Sequence, residues 1–250
     1  MNELVFAIAG LISGIATGLV GLSAAVVVVP LFSTILGMDP YIAIGIALTS
    51  DVIGSGTSAI TYAKHKNIDI KNGFPMMVSV LIFTSFSSYI SSLGNTQSLA
   101  SIMNIMAILL GINFIYSSNH DNLIDKFHFK NSILKSILCG IPIGFICGYI
   151  GAGGGLMLLI VLKLFLGYDT KKAVGTSVFI MTFTAMAGGI GHILIGGTYL
   201  HALIITASCG FIGAKFSAIF ANHISQKKLN VVIGVFLIIF GIILTIIYHL

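Results

Sequence analysis

The stretch VVIGVFLIIFGIILTIIY at 231–248 carries no charged side chain. Crossing a bilayer core takes about 20 mostly apolar residues in a helix. In hydrocarbon the backbone must satisfy its own polar groups, which leaves only helices and closed barrels as spanning structures. Barrel strands are short and alternate apolar with polar residues; uninterrupted runs like this one, recurring from Leu4 to Tyr248, exclude that architecture. Charged residues make up 8% of the chain, against about 25% in an ordinary soluble domain. The fold class expected is an all-α polytopic membrane protein. The opening MNELVFAIAG lacks the basic region of a secretory signal and has no small-residue cleavage pattern, so it reads as a retained first segment.

Apolar periodicity and turn residues divide the chain into segments at 4–19, 22–36, 41–63, 73–93, 97–117, 133–149, 152–166, 173–195, 199–222 and 229–249. Every basic residue is a lysine. Eleven of the twelve fall in four places: Lys64, Lys66 and Lys71; Lys126, Lys130 and Lys135; Lys163, Lys171 and Lys172; Lys227 and Lys228. The turns between these clusters, GMDP at 37–40, LGNTQ at 93–97 and IGGT at 195–198, are neutral or acidic. If each segment crosses, or if the short glycine-rich pairs dip in and return, all four clusters lie on one side. By the positive-inside rule that side is cytoplasmic and both termini are outside. The basic balance is then a topology signal, and no nucleic-acid partner is needed to explain it.

Sliding the chain by 130 residues places Gly10, Gly14, Gly18 and Gly21 on Gly140, Gly144, Gly148 and Gly151. The same shift places Leu36, Gly37 and Asp39 on Leu166, Gly167 and Asp169, Ala43 and Gly45 on Ala173 and Gly175, and Phe86 and Ser87 on Phe216 and Ser217. A glycine ladder at one constant offset marks a duplication. The expected units are a first membrane repeat at 1–117, a cytoplasmic linker at 118–131 and a second membrane repeat at 132–250. Each repeat holds five segments, an odd number, so the two are expected to be inverted, with short glycine-rich paired segments opening each half. Inverted repeats are a recurring plan of secondary transporters, which place their sites near the midplane where the repeats meet.

The paired segments are about 16 residues each, near 24 Å at 1.5 Å per residue and short of a roughly 30 Å crossing. Their turns read GLVGLSAA at 18–25 and GYIGAGGG at 148–155. Glycine permits a tight turn and close backbone approach, and a helix N-terminus with unpaired N–H groups attracts anions. An anion cradle is therefore expected from Gly21, Ser23, Ala24, Gly151, Gly153, Gly154 and Gly155. The alternative is that these small residues only let helices pack closely.

Polar residues inside the segments add candidates. Asp51, ten residues into the third segment, can be a proton carrier, a cation ligand, a lysine partner or a protonated packing residue; proton coupling is the role expected for it. Lys215 can contact the anion or pair with Asp51, or its long stem can snorkel to the interface. Thr49, Ser50, Thr176 and Ser177 can donate hydroxyls to an oxyanion, although mid-helix hydroxyls also bond the carbonyl one turn back. Asp39 and Asp169 read as helix N-caps. His192 and His201 flank a neutral turn and read as interfacial.

The duplicated hairpins, with GYIGAGGGLMLLIVLKLFLGYDTKKAVGTS at 148–177 foremost, resemble the sulfite exporter TauE/SafE family, also called the toluene sulfonate uptake permeases. In the first half GLSAA replaces the glycine run and GIA at 45–47 stands opposite GTS at 175–177. The resemblance implies an inner-membrane permease of prokaryotic type for small sulfur-containing or other organic anions, such as sulfite or sulfonates. An anion channel or a non-transporting membrane assembly factor is the alternative. No H-E-x-x-H, P-loop or Cys pair at metal spacing occurs, so no metal or cofactor is expected and transport must run on a gradient. The chain is read as a non-enzyme: an intramembrane serine protease using Ser23 with His192 or His201 would leave the hairpin duplication unexplained. The expected partners are the lipid bilayer and a small anionic substrate.

Overall fold

The computed structural model describes residues 2–91, 108–116, 132–150, 154–194 and 198–249. The helices are α1 (Asn2–Val20), α2 (Ala25–Leu36), α3 (Pro40–Lys64), α4 (Ile70–Ser91), α5 (108–116), α6 (Ser132–Ile150), α7 (Gly154–Ile160, continued by a π turn at Val161–Phe165), α8 (Thr170–Leu194), α9 (Leu200–His223) and α10 (Gln226–His249). No strand occurs among the described residues. The helices α1, α3, α8 and α9 and the Gln226–Ile243 part of α10 are long and apolar enough to span a bilayer. The protein is an all-α polytopic membrane protein, as the apolar runs require. The linker expected at 118–131 lies outside the described residues.

Local chemistry sets the boundaries. The side chain of Asp39 accepts the Tyr41 N–H at 2.8 Å, and Pro40 occupies the first position of α3; a capping carboxylate followed by proline starts a helix efficiently. Asp169 is tied in by its backbone carbonyl, which accepts the Ala173 N–H at 2.8 Å. Large apolar side chains, among them Ile60, Phe74, Ile82, Phe86, Ile204 and Phe216, remain exposed on the outer helix faces. Water would make such a surface an aggregation hazard; lipid makes it the solvated side of a membrane protein.

Three lysine-bearing connections meet at one end of the bundle. The His65 and His223 rings lie 5.7 Å apart, Asn67 donates to the Asn222 side chain at 2.7 Å, and Lys171 donates to the Asn222 carbonyl at 2.7 Å. At the opposite end His201 meets Glu3 at 3.2 Å and the His192 ring packs on Tyr41 at 4.4 Å.

The helices α1 with α2 and α6 with α7 pair as two hairpins, each a 19-residue helix followed by a shorter one. Helix α1 descends from the end that holds Glu3 and turns at Gly21–Ala24; α2 then returns, bringing Phe32 edge-on to Phe6 at 5.1 Å. Helix α6 runs parallel to α4, with Ser79 donating to the Ile137 carbonyl at 3.0 Å and Ser87 to the Phe145 carbonyl at 2.6 Å. It thus enters from the lysine end, and α7 returns there, where Lys163 donates to Thr170 at 2.7 Å. At about 1.5 Å per residue α2 is about 18 Å long, shorter than a roughly 30 Å crossing.

The interhelical contacts repeat with the halves exchanged. Gly10 of α1 rests on the Thr206 carbonyl of α9, and Gly140 of α6 rests on the Met76 carbonyl of α4. Gly14 faces the Gly210 carbonyl, and Gly144 the Val80 carbonyl. Each second pair follows from the first by adding 130 to one partner and subtracting 130 from the other. The same shift relates α3 and α8, which pack against each other in antiparallel fashion, with Thr49 beside Gly189 and Gly56 beside Thr182.

Candidate substrate and ion site

The two hairpin tips touch. Gly21 adopts φ +77°, the left-handed conformation that ends α1 without steric cost. A Cβ at Gly155 would strike the Gly21 carbonyl and stand 2.9 Å from the Ser23 nitrogen and 2.7 Å from the Met181 sulfur. A Cβ at Gly21 would in turn strike the Ser177 hydroxyl. Only glycine at these two places lets one backbone turn lie directly on the other hairpin.

Asp51, on α3, projects into the first tip and is 2% exposed. Ser23 Oγ donates to its Oδ2 at 2.8 Å, and the Ala24 backbone N–H also serves the carboxylate. Thr17 Oγ1 stands 3.5 Å from Oδ1, while also lying 2.8 Å from the Leu22 carbonyl and 2.9 Å from the Ser13 carbonyl. Tyr62, fully buried on α3, donates to the Gly18 carbonyl at 3.0 Å and fixes the end of α1. A charged carboxylate at mid-membrane costs about 3 kcal/mol on insertion scales, and among the described residues no cation pairs with Asp51. Its partners are hydroxyl and amide donors alone.

Residues expected from the sequence divide into two groups. Gly21, Ser23, Ala24, Asp51, Gly155 and Ser177 come together at the tips. Gly151 and Gly153 lie outside the described residues. Gly154 departs from expectation: a Cβ there would meet Cys147 Sγ at 2.9 Å, within its own hairpin, so Gly155 is the glycine that faces the other tip. Thr49 donates to the Gly45 carbonyl at 2.8 Å and Ser50 to the Ala47 carbonyl at 2.9 Å, so both hydroxyls are spent on their own helix. Ser177 donates to the Val174 carbonyl at 2.8 Å. Thr176 accepts the Asp69 N–H at 3.1 Å and serves the α3–α4 connection rather than the tips. Lys215 lies away from the tips: it is exposed on the face of α9 that carries Ile212 and Phe216, with its Nζ 5.7 Å above the Phe211 ring. Its neighbours Gly213, Ala214, Ser217 and Ala218 take the inward positions, and a lysine between them in a 3.6-residue period must face outward.

Two features escaped sequence reasoning. Thr17 was legible only as one hydroxyl, four residues before the Gly21 turn. The site is also asymmetric: the 130-residue shift carries Asp51 to Met181 and Thr17 to Cys147. The carboxyl and its hydroxyl belong to the first half, and sulfur side chains take their places in the second.

Outside the membrane-spanning segments, Asp69 ties the α3–α4 connection to α8. Burial works against its charge. Hydrogen bonds from Asn72, Tyr168 and Lys172 outweigh that and hold its carboxyl down at about 2, against an ordinary 3.8. Tyr168 donates at 2.8 Å and the Lys172 ammonium stands 3.2 Å away. The Tyr168 hydroxyl is correspondingly pushed up by burial and by the bond it gives Asp69.

Two helix hairpins thus meet beside a buried carboxyl within an all-helical bundle that carries several helices long and apolar enough to cross a membrane, the architecture of a polytopic membrane protein. Residues 6–244 match the sulfite exporter TauE/SafE model, and the chain belongs to that family. It is 27% identical to the probable membrane transporter protein YunE of Bacillus subtilis, covering 96% of each chain. It is 28% identical to a probable membrane transporter protein of Methanocaldococcus jannaschii, covering 94% of this chain and 92% of that one. A third relative, the probable membrane transporter protein YdhB of Bacillus subtilis, is 25% identical over 82% of this chain and 86% of its own. No solved structure matches the chain. The protein is a multi-pass membrane transporter of the TauE/SafE type.

Proposed function

We propose that the protein is a secondary transporter that carries a small sulfur-containing or organic anion, such as sulfite or a sulfonate, by alternating access, together with a proton on Asp51. The observation that carries this reading is the position of the Asp51 carboxyl on Ser23 and the Ala24 amide, at the start of α2, where Gly155 of the second hairpin also rests. A helix N-terminus is an anion site, and here an internal carboxylate holds it. Protonation of Asp51 removes its charge, weakens its claim on those donors and turns them toward a substrate anion. Release of the proton returns the carboxylate and expels the anion. A proton moving with a monovalent anion leaves no net charge to cross the bilayer.

The two halves act as inverted repeats, an arrangement supported by the exchanged contact pairs and the opposite entry of the hairpins. Both termini then face outward and the lysine end is cytoplasmic in an inner membrane, supported by the meeting of three lysine-bearing connections at one end. The chemistry is translocation and not catalysis.

Proteoliposomes under imposed pH gradients, offered sulfite, thiosulfate, sulfonates and small carboxylates, test the reading. Saturable, gradient-accelerated uptake of one of these anions is expected. Asp51→Asn should still exchange the anion but lose the acceleration; a variant with wild-type pH dependence would make Asp51 structural.

A further inference from the structure

Thr17 Oγ1 has one hydrogen and three acceptors around it: the Ser13 carbonyl at 2.9 Å, the Leu22 carbonyl at 2.8 Å and Asp51 Oδ1 at 3.5 Å. It is 1% exposed. Its position joins the end of α1, the turn that follows and the carboxyl of α3. We infer that Thr17 is a positioning residue whose hydroxyl rotates with the protonation state of Asp51 and so transmits that state to the hairpin tip; this rests on the proton-coupling reading above.

With Asp51 ionised, the Thr17 hydrogen turns to Oδ1, which as a carboxylate oxygen is the strongest acceptor in reach. The Leu22 carbonyl then loses its donor. With Asp51 protonated, the proton on Oδ1 is donated to Thr17 Oγ1, and the Thr17 hydrogen passes to the Leu22 carbonyl. One hydrogen is gained by Asp51, and no bond other than hydrogen bonds changes. Ser23 donates to Oδ2 of the ionised carboxylate at 2.8 Å and is released toward the anion when Asp51 is protonated. The Leu22 carbonyl belongs to the turn on which Gly155 rests through Gly21 and Ser23, so the switch acts where the two hairpins meet.

Other titratable groups do not compete. Of the elements packed on α3, α2 carries none. Glu3 of α1 and His201 of α9 pair with each other at the far end. On α8, Lys171 binds the Asn222 carbonyl, Lys172 binds Asp69 and His192 packs on Tyr41. On α9, Lys215 faces outward, His223 meets the Ile219 carbonyl at 2.8 Å, and Cys209 makes no hydrogen bond to Asp51.

The experiment compares wild type, Thr17→Val, Thr17→Ser and Asp51→Asn in proteoliposomes, with sulfite exchange at equal pH and uptake under a pH gradient measured for each. Thr17→Val keeps the shape and burial and removes the hydroxyl. The ratio of gradient-driven uptake to equal-pH exchange should fall about tenfold, the scale of a hydrogen bond to a charged group; Thr17→Ser should restore it. Loss of stimulation in Asp51→Asn but not in Thr17→Val overturns the role of Thr17 alone. Retained stimulation in Asp51→Asn overturns the proton reading beneath it. Loss of equal-pH exchange in Thr17→Val without rescue by Thr17→Ser makes Thr17 a structural residue and also overturns the inference.

Discussion

Replacing Gly155 by alanine should force the two hairpin tips apart. The new Cβ would stand 2.9 Å from the Ser23 nitrogen, 2.7 Å from the Met181 sulfur and nearer still to the Gly21 carbonyl. Carbon contacts settle at about 3.5–4.0 Å, so the first tip must retreat by roughly half an ångström or more. Met181 is flexible and can swing aside, but Gly21 and Ser23 present backbone, held by Tyr62 on Gly18 and by Asp51 on Ser23. Forcing a methyl group into packed atoms costs about 1–3 kcal/mol. If that energy is charged to the conformation with tips in contact, transport falls by about five- to 150-fold. Gly154→Ala meets only the end of the Cys147 side chain and should cost less. Gly191→Ala, where a Cβ meets nothing within 4 Å, should leave transport unchanged and raise the melting temperature slightly through helix propensity. The assay is initial uptake rate in proteoliposomes at equal reconstituted protein, with detergent melting curves to separate folding from function. A Gly155→Ala protein that transports and melts like Gly191→Ala would refute the tip-to-tip contact.

Lys215→Gln should change neither anion affinity nor rate by more than about twofold, because its side chain faces outward on α9; a tenfold loss in a binding or uptake assay would return Lys215 to the interior. Asp69 is held below its ordinary value, so its contribution to stability is complete above about pH 4 and is lost as pH falls through about 2. At neutral pH that contribution is on the order of 1 kcal/mol after solvent screening. Melting curves from pH 6 to pH 2 should therefore fall more steeply for wild type than for Asp69→Asn, and parallel curves would count against the network. In a cysteine-free background, a cysteine at Lys228 should resist a membrane-impermeant maleimide in intact cells while one at Asn2 reacts; the reverse pattern would invert the proposed topology.

Apolar run length decided by itself that this chain crosses a membrane as helices, because hydrocarbon leaves an unpaired backbone no alternative. Glycine spacing marked the tightest helix contacts, since Gly10, Gly14, Gly140 and Gly144 are the places where another helix backbone comes too close for any side chain. The place of Asp51 near the first tip was accessible only as a suspicion from its depth. Direction was not accessible at all. Lys215 and Asp51 read alike in sequence, each an isolated charge in an apolar helix, yet one is exposed on the outer face of α9 and the other is buried against Ser23. A helix offers a full circle of outward directions, and when every face is apolar the periodicity carries no phase. Neither Thr17 nor the choice of Gly155 over Gly154 could be fixed until packing supplied that phase. Tertiary structure decided which side chains look inward, because only the neighbouring helix defines where inward is.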